Sequence, residues 1–346
     1  MAGRTGKFGV ALFGVGRAGT IHFTNIIQRR RLDLLYLVDV FPERGEQLLE
    51  KNFMSADQTK VIPFQDCQQV FDDKNVAFVV VTTPTDQHEE IVRRALDSGK
   101  AVFCEKPIAL DRSVADQLYE KAESHSIPLY CAFQRRFDPN MSRIHDEVRG
   151  GKYGEVEMIT TFSRDGQLAP MDYYRQSGGI FVDCAVHDID MVCWIANEKP
   201  DSVFVRGTAR HPEIKAMGDV DSVAIILTFP SGVLATIHLS RHSTYNYDQR
   251  LEVKCTQGLL QCGNVSPDIV QCFQSEAIKS TLPHESFPQR YAEAYAAELD
   301  HFIDVLSGSV PRISVTREDV RWVSEIATAC GTSLRSECPV KLPLTQ

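Results

Sequence analysis

A short apolar run followed at once by three spaced glycines restricts the fold of this chain more than any other feature. The run is Phe8–Phe13, and the glycines follow in the pattern Gly-x-Gly-x-x-Gly, ahead of a helical pattern that begins at about Ala18. Between a strand and a helix, such glycines make a tight turn, let a pyrophosphate approach the backbone, and let helix and strand pack closely. The free N–H groups at the start of the helix then bind phosphate oxygens. We therefore predict a dinucleotide site that contains Gly14, Gly16, Arg17, Ala18 and Gly19.

A carboxylate follows the second predicted strand, where ribose recognition would require it. The strand is Leu34–Val38, and Asp39 closes it about 20 residues beyond the glycines. An acid at this position accepts hydrogen bonds from the adenosine ribose and repels a 2′-phosphate. Val40 and Phe41 follow, with no arginine placed to bind such a phosphate. NAD is therefore the predicted cofactor, and an ordinary glycine-rich turn is the alternative.

Strand and helix patterns alternate through residues 1–133. The run Ala77–Val81 is continuous and rich in β-branched residues, as expected for a strand that is buried on both faces of a parallel sheet. This alternation predicts an α/β domain with a doubly wound parallel sheet of the Rossmann type.

Two polar loops follow strands of this predicted sheet. Ligands bind beyond the carboxyl ends of such strands, so we assign four loop residues to the cofactor site: Thr83, Pro84, His88 and Glu105. Lys106 lies in the second loop, where Pro107 restricts the backbone. A lysine held there could donate a hydrogen bond to a substrate oxygen and stabilise negative charge on it. A solvated lysine in a turn is an equally good interpretation.

Beyond residue 133 the pattern changes to consecutive strands. Apolar and polar residues alternate over Glu155–Ser163 and in several later stretches, and Ser231-Gly232 forms a short turn typical of a hairpin. These features predict an α+β domain with a large, mostly antiparallel sheet, one face of which packs against the opening helix. The predicted domains are residues 1–133, which bind the cofactor, and residues 134–346, to which we assign the substrate site.

A glycine pair, Gly178-Gly179, precedes a helical pattern from Ile180 to about Ala196. Asp183 and His187 are four residues apart on it, so they lie on one face of the predicted helix. An imidazole beside a carboxylate can act as a proton acceptor. A surface or structural pair is the commoner reason for this spacing. A metal site is less favoured, because no Glu-x-x-His motif or cysteine pair accompanies it.

Charge and cysteine content disfavour several classes of partner. The chain carries a formal net charge of −9, which argues against nucleic acid or an anionic membrane as the main partner. The ten cysteines never form Cys-x-x-Cys, and several lie in apolar runs, which suits buried thiols in a reducing compartment. No apolar run approaches the ~20 residues that span a bilayer. We therefore expect a cytoplasmic protein without a metal site.

Three motifs on one chain identify a family: the glycine loop, Glu105-Lys106-Pro107, and the stretch from Gly178 to Asp190. Together they resemble the glucose–fructose oxidoreductase/inositol dehydrogenase/rhizopine catabolism (Gfo/Idh/MocA) family over nearly the whole chain. Within it, the chain looks most like the NAD-dependent inositol 2-dehydrogenases. Four further stretches carry this second likeness: Phe133–Asp138, Ser163–Asp165, Tyr245–Arg250 and Arg290–Tyr295.

The resemblance implies an NAD-dependent dehydrogenase whose catalytic residues are Lys106, Asp183 and His187. It implies further that the substrate is a small cyclic polyol, with myo- or scyllo-inositol as first candidates, and that the C-terminal sheet builds a homo-oligomer, either a tetramer or a dimer.

The resemblance also places Arg135, Asp165 and Tyr245 near the polyol. The chain departs from the inositol pattern just after Asp165, where Gly166–Ala169 delay a proline that usually follows sooner. A sugar or dihydrodiol dehydrogenase of the same family therefore stays an alternative, as does a non-catalytic dinucleotide-sensing regulator. A structural protein with an incidental glycine loop is disfavoured by the spacing between the glycines and Asp39.

Overall fold

The computed structural model describes residues 6–55 and 57–344. The strands in this part of the chain are β1 (Phe8–Phe13), β2 (Leu32–Asp39), β3 (Lys60–Pro63), β4 (Val76–Val81), β5 (Ala101–Glu105), β6 (Leu129–Ala132), β7 (Val156–Arg164), β8 (Ser202–Thr208), β9 (Ser222–Thr228), β10 (Leu234–Ser240), β11 (Asp248–Cys255), β12 (Gly258–Cys262), β13 (Gln271–Phe273), β14 (Ile278–Ser280) and β15 (Val340–Lys341).

The helices are α1 (Arg17–Ile27), α2 (Pro42–Lys51), α3 (Gln68–Asp72), α4 (His88–Asp97), α5 (Arg112–Ser124), α6 (Pro139–Arg149), α7 (Met171–Gln176), α8 (Val186–Ala196), α9 (Pro212–Ala216), α10 (Phe287–Arg290), α11 (Ala292–Leu306) and α12 (Arg317–Ser336). A turn of π-helix, Phe181–Ala185, leads directly into α8.

The chain forms two compact units. The first comprises the chain up to Gln134 together with Tyr295–Arg321, and the second comprises Arg135–Ala294 together with the chain from Trp322 onward. The first crossing between units lies beside the predicted domain boundary. The sequence pattern had placed residues 295–321 in the second domain, whereas here they belong to the first unit.

Aromatic packing explains why this late segment belongs to the first unit. Phe302 of α11 has no exposed side-chain surface. Its ring centroid lies 5.3 Å from that of Phe78 and 5.6 Å from that of Phe103, both edge-on, and 5.9 Å from that of Tyr130. Aromatic rings at such distances attract one another beyond the burial of their apolar area. The segment is therefore part of the core beneath β4, β5 and β6.

The first unit contains a six-stranded sheet in the order β3-β2-β1-β4-β5-β6. All of its neighbouring strands are parallel, so the predicted doubly wound sheet is confirmed. Phe13 pairs with Val38 on one side and with Val81 on the other, so these three strands end at the same level. The strand order reverses at β1 and β4, which is where open sheets of this kind bind ligands.

The second unit contains a seven-stranded sheet in the order β12-β11-β7-β10-β9-β8-β15. Its strands are mostly antiparallel, as predicted, and the hairpin at Ser231-Gly232 joins β9 to β10. The pairing of β7 with β10 is parallel, which the sequence pattern did not indicate. Helix α8 packs against β7 and β10, and the opening helix α6 packs against α8 and β12.

Candidate cofactor and substrate sites

Glycine occupies the three positions of the first loop for different structural reasons. A Cβ atom on Gly14, whose φ is +87°, would lie 2.7 Å from the main-chain nitrogen of Thr83, and one on Gly19 would lie 2.1 Å from the carbonyl oxygen of Gly14. Both positions therefore require glycine for the protein's own packing. A Cβ on Gly16 would meet no atom within 4 Å. The space over Gly16 is open, as close approach of a phosphate requires.

Gly16 also starts helix α1 without a side-chain cap. The first N–H groups of a helix have no partner within the helix, and together with the helix dipole they favour an anion. Arg17 is exposed and Ala18 half-buried at this end. The loop and the helix start therefore fit the pyrophosphate of a dinucleotide.

Asp39 lies at the end of β2, beside the glycine loop. It is 7% exposed, and its Oδ2 accepts a hydrogen bond of 2.7 Å from the N–H of Val15. Its Oδ1 accepts one of 2.9 Å from the N–H of Phe41. The carboxylate is thus held in one orientation at the sheet edge where a ribose would bind.

The loops after β4 and β5 are tied together by His88. Its Nδ1 lies 2.7 Å from the carbonyl oxygen of Pro107, and its Nε2 lies 2.9 Å from that of Thr83. The ring is 1% exposed. Both ring nitrogens thus face the protein's own backbone. We infer that His88 serves the cofactor site by fixing these loops.

Glu105 is held from another direction. Its Oε1 lies 2.8 Å from Nε2 of His22 on α1, and the His22 ring is packed edge-on against Phe103 and Tyr295. Lys106 follows directly and is half-buried. Residues from the ends of β1, β2, β4 and β5 therefore meet at one edge of the first sheet, as the sequence predicted for Gly14, Asp39, Thr83, Pro84 and Glu105.

Asp183 lies in the π-helical turn that precedes α8, and His187 lies at the start of α8. The sequence pattern predicted a single regular helix from Ile180, so the first turn differs from that expectation. Single π-helical turns occur frequently at functional sites. Asp183 is 9% exposed, and His187 is half-buried.

The sequence pattern missed the residues that hold Asp183. Nη1 of Arg241 donates to Oδ2 of Asp183 at 3.1 Å, and the hydroxyl of Tyr173 donates to Oδ1 at 2.7 Å. Burial raises the pKa of Tyr173 well above its ordinary value, and the charge of Asp183 and the hydrogen bond to it raise that pKa further. Arg241 directly follows β10 and is 0% exposed. The sequence signal that could have identified Arg241 is a cation directly after an apolar strand.

Arg135 forms a buried ion pair. Its Nη1 lies 3.1 Å from Oδ1 of Asp188 and 3.1 Å from the hydroxyl of Ser163. Burial lowers the pKa of Arg135, but Asp188, Tyr291 and Tyr247 together outweigh it and keep the pKa above its ordinary value. The guanidinium is therefore committed to the protein, and we expect it to influence a substrate through this network.

Tyr245 belongs to a second network, at the start of β11. Its hydroxyl accepts a hydrogen bond of 2.6 Å from Arg164 and donates one of 2.9 Å to Asp248. Asp248 has no exposed side-chain surface, and Arg250 and Asn264 also donate to it. These donors, together with the one from Tyr245, hold the pKa of Asp248 below its usual range despite burial.

Asp165 lies where these networks approach one another. It directly follows β7, between the strand end that carries Ser163 and Arg164 and the end of β10, and its N–H donates to the carbonyl oxygen of Ser240 at 3.0 Å. Because β7 and β10 run in parallel, Asp165 and Arg241 emerge at the same edge of the sheet. The second unit thus brings Asp165, Asp183 and Tyr245 to one region, Asp183 and Tyr245 through side-chain partners and Asp165 through its main chain.

Two further observations concern metal ions and membranes. Within the ranges 6–55 and 57–344, no group of three or more His, Cys, Asp or Glu side chains could hold a metal ion. Among the helices of those ranges, none has the length and apolar character needed to cross a membrane.

Protein-family models match residues in both units. Residues 8–133 match an oxidoreductase family with an NAD-binding Rossmann fold, and residues 141–261 match the C-terminal domain of the same Gfo/Idh/MocA family. The chain belongs to the Gfo/Idh/MocA family. As a member of this family, it is an NAD-dependent dehydrogenase.

Individual relatives agree with this assignment. The myo-inositol 2-dehydrogenase of Thermotoga maritima is 33% identical, over 96% of this chain and 98% of its own. A myo-inositol dehydrogenase structure from Corynebacterium glutamicum has a TM-score of 0.90 and 32% identity, over 98% of this chain and all of its own. The Lactobacillus casei scyllo-inositol dehydrogenase, solved with NAD(H) and scyllo-inositol, has a TM-score of 0.87 and 25% identity, over 97% and 99% of the two chains. The predicted family and cofactor are confirmed.

Proposed function

We propose that this dehydrogenase oxidises a secondary alcohol of a cyclic polyol, myo- or scyllo-inositol, to the keto-inositol. The observation that carries the proposal is the polar region of the second unit, where Asp165, Asp183 and Tyr245 form hydrogen bonds near one edge of the sheet. A ligand with a hydroxyl group on nearly every carbon satisfies such a region. The relatives named as inositol dehydrogenases support the same substrate class.

The charges of this region favour a neutral ligand. Arg135 is paired with Asp188, Arg164 with Asp248, and Arg241 with Asp183 and Asp219. Each cation therefore has a carboxylate partner within the same unit, so no guanidinium requires an acidic substrate. This pairing supports a polyol over a 2-hydroxy acid.

The roles proposed for the residues follow from the chemistry of alcohol oxidation. His187 accepts the proton of the hydroxyl group, which prevents full negative charge from accumulating on oxygen. Lys106 donates a hydrogen bond to that oxygen and stabilises the charge that does develop. Asp183 orients the imidazole or the substrate. Bound NAD supplies the hydride acceptor.

Selectivity should follow from unpaired polar groups. A buried polar group that loses its partner costs about 1–3 kcal/mol, so an analogue that lacks one hydroxyl should be rejected. We expect deoxy-inositols to lose at least about tenfold in kcat/KM, which corresponds to about 1.4 kcal/mol.

We also propose a homo-oligomer, a tetramer or a dimer, in a cytoplasmic setting. The outer face of the second sheet carries Ile226, Met158 and Leu259, with 38%, 39% and 55% of each side chain exposed, and exposed apolar patches often mark interfaces. Six of the ten cysteines are buried free thiols, which suits a reducing compartment. Light scattering of the purified protein tests the oligomer, and a mass of one chain would contradict it.

A substrate panel tests the proposed reaction. The purified enzyme with NAD is offered myo-inositol, scyllo-inositol, the deoxy-inositols, glucose, xylose, an aromatic dihydrodiol and a 2-hydroxy acid, and NADH formation is followed by absorbance. Cyclitols should give the highest kcat/KM, with glucose or xylose next. Turnover of the dihydrodiol or the hydroxy acid alone would overturn the assignment. NAD binding without turnover of any alcohol would favour the dinucleotide-sensing regulator.

A further inference from the structure

Arg241 is a fully buried cation that divides its guanidinium between two carboxylates. Nη1 lies 3.1 Å from Oδ2 of Asp183, and Nη2 lies 3.2 Å from Oδ2 of Asp219. The guanidinium stacks on the ring of Tyr174, 4.4 Å from its centroid. Two carboxylates and an aromatic face offset the desolvation of the charge. The side chain therefore has one well-defined position.

The Asp183 carboxylate receives donors on both oxygens. Arg241 donates to Oδ2 and Tyr173 donates to Oδ1. A nearby cation and hydrogen bonds to the charged form both favour the ionised carboxylate. A carboxylate stabilised in this way is a poor proton acceptor and a good fixed anion.

The second arm of Arg241 reaches the entry to the π-helical turn. Asp219, which Nη2 contacts, accepts a hydrogen bond of 3.3 Å from the N–H of Ile180 with its Oδ1. The same oxygen lies 3.5 Å from where a Cβ on Gly179 would stand. Arg241 is thereby connected both to Asp183 and to the backbone immediately before Phe181–Ala185.

We propose that Arg241 is a positioning residue, which holds Asp183 as a fixed carboxylate and sets the backbone of the turn that leads to His187. Asp183 then orients the reacting groups and does not itself take the proton. This inference deepens the proposed function and rests on it for the identity of the reaction.

The test compares two buried arginines of the second unit. Arg241→Gln removes the positive charge that pairs with the carboxylate of Asp183. Arg290→Gln is the matched control, because Arg290 also pairs with a buried carboxylate, Asp138, and stacks on a tyrosine, Tyr291, at 4.6 Å. Both variants should lose thermal stability, but only Arg241→Gln should lower kcat, by about 10²-fold, with the Kd of NAD unchanged. Arg241→Lys keeps the charge and should recover part of kcat.

A second variant covers the case in which Arg241→Gln does not fold. Tyr173 is 49% exposed, so Tyr173→Phe should preserve stability while removing the donor to Oδ1 of Asp183. We expect kcat to fall about tenfold, as for the loss of a hydrogen bond to a charged group. Unchanged kcat in Tyr173→Phe, or an equal fall in the two arginine variants, would overturn the inference.

A crystal structure of Arg241→Gln, or of Tyr173→Phe if the former does not fold, separates this inference from the proposed substrate. Displacement of the Asp183 carboxylate and of the turn Phe181–Ala185 would support the positioning role, whichever alcohol is oxidised. An unmoved carboxylate would contradict it. Failure of the cyclitol panel, by contrast, would contradict the proposed function alone.

Discussion

The main-chain N–H of Val15 donates a hydrogen bond of 2.7 Å to the carboxylate of Asp39. The acid that the sequence assigns to ribose recognition therefore also fixes the glycine loop from the neighbouring strand. The structure corrects one expectation here, because Nη1 of Arg44 lies 3.9 Å from Oδ1 of Asp39. An arginine thus lies beside the carboxylate that is predicted to bind the ribose.

Cofactor preference should depend on this pair. Asp39→Asn removes the repulsion of a 2′-phosphate while leaving one acceptor oxygen for the backbone, and Arg44 can then attract the phosphate. We expect the ratio of kcat/KM for NAD to that for NADP to fall, and to recover when Arg44→Ala is added. Equal kcat/KM for both cofactors in the wild type would contradict the role of Asp39.

Removal of His88 should loosen both loops at once. In His88→Ala, the carbonyl oxygens of Thr83 and Pro107 lose their common partner, so we expect a higher Kd for NAD together with a lower kcat. His88→Gln retains a donor and should recover part of both. His125→Ala, an exposed histidine of the same unit, is the control, measured by fluorescence titration and steady-state kinetics. Normal NAD binding by His88→Ala would contradict the proposal that His88 serves the cofactor site by fixing the two loops.

Acid should weaken the fold partly through His88. Burial lowers the pKa of His88, and the hydrogen bonds to Pro107 and Thr83 only partly oppose this. The unfolded chain therefore binds the proton more readily, with a pKa of about 6.5. The contribution to the free energy of unfolding is present above that pH and is lost as the pH falls towards the lower pKa of the folded state. Between about pH 5 and 7, the free energy of unfolding should depend more steeply on pH in the wild type than in His88→Gln. Chemical denaturation at several pH values measures this.

The proposed proton acceptor has a direct test. His187→Ala should lower kcat by roughly 10²–10⁴-fold, because it removes general base catalysis, while the Kd of NAD stays near the wild-type value. Lys106→Ala should also lower kcat, since the charge it stabilises develops in the transition state. His238→Ala, elsewhere in the second unit, should leave kcat unchanged. A rise in KM alone would make Lys106 a binding residue.

Substitution of Arg135 should lower the stability of the protein. Asp188 is 1% exposed, so Arg135→Met leaves a buried charge without its cation and should lower the free energy of unfolding by about 3–5 kcal/mol. The double variant Arg135→Met/Asp188→Leu should lose less than the single one. Chemical denaturation measures both, and a double variant less stable than Arg135→Met would contradict this account.

The first sheet could be predicted from sequence because its signals are local. The glycine spacing, the buried run that forms β4 and the position of Asp39 each depend on neighbours in the chain. The helix that carries His187 was visible for the same reason, as was the hairpin between β9 and β10, but the π-helical turn that carries Asp183 was not. Their functional roles stay predictions that the variants above address.

The rest depended on contacts between residues far apart in the chain. Arg241 and Asp183 are 58 positions apart, and hydrophobic periodicity contains no information about such a pair. The parallel pairing of β7 with β10 brings Asp165 beside the end of β10, yet both strands show the same alternation that antiparallel strands would show. The path of residues 295–321 was missed likewise, because an amphipathic helix does not indicate which sheet it covers.

That path affects how this protein can be divided or recombined. Phe302 completes the packing around Phe78, Phe103 and Tyr130, but its codon lies far downstream of theirs. A gene fragment that stops after residue 134 would encode the whole cofactor edge and leave those rings uncovered. Neither unit is a contiguous cassette, so the two cannot be exchanged between relatives by a single crossover. Changes of cofactor or substrate are therefore more accessible through point substitutions at strand ends than through shuffling of domains.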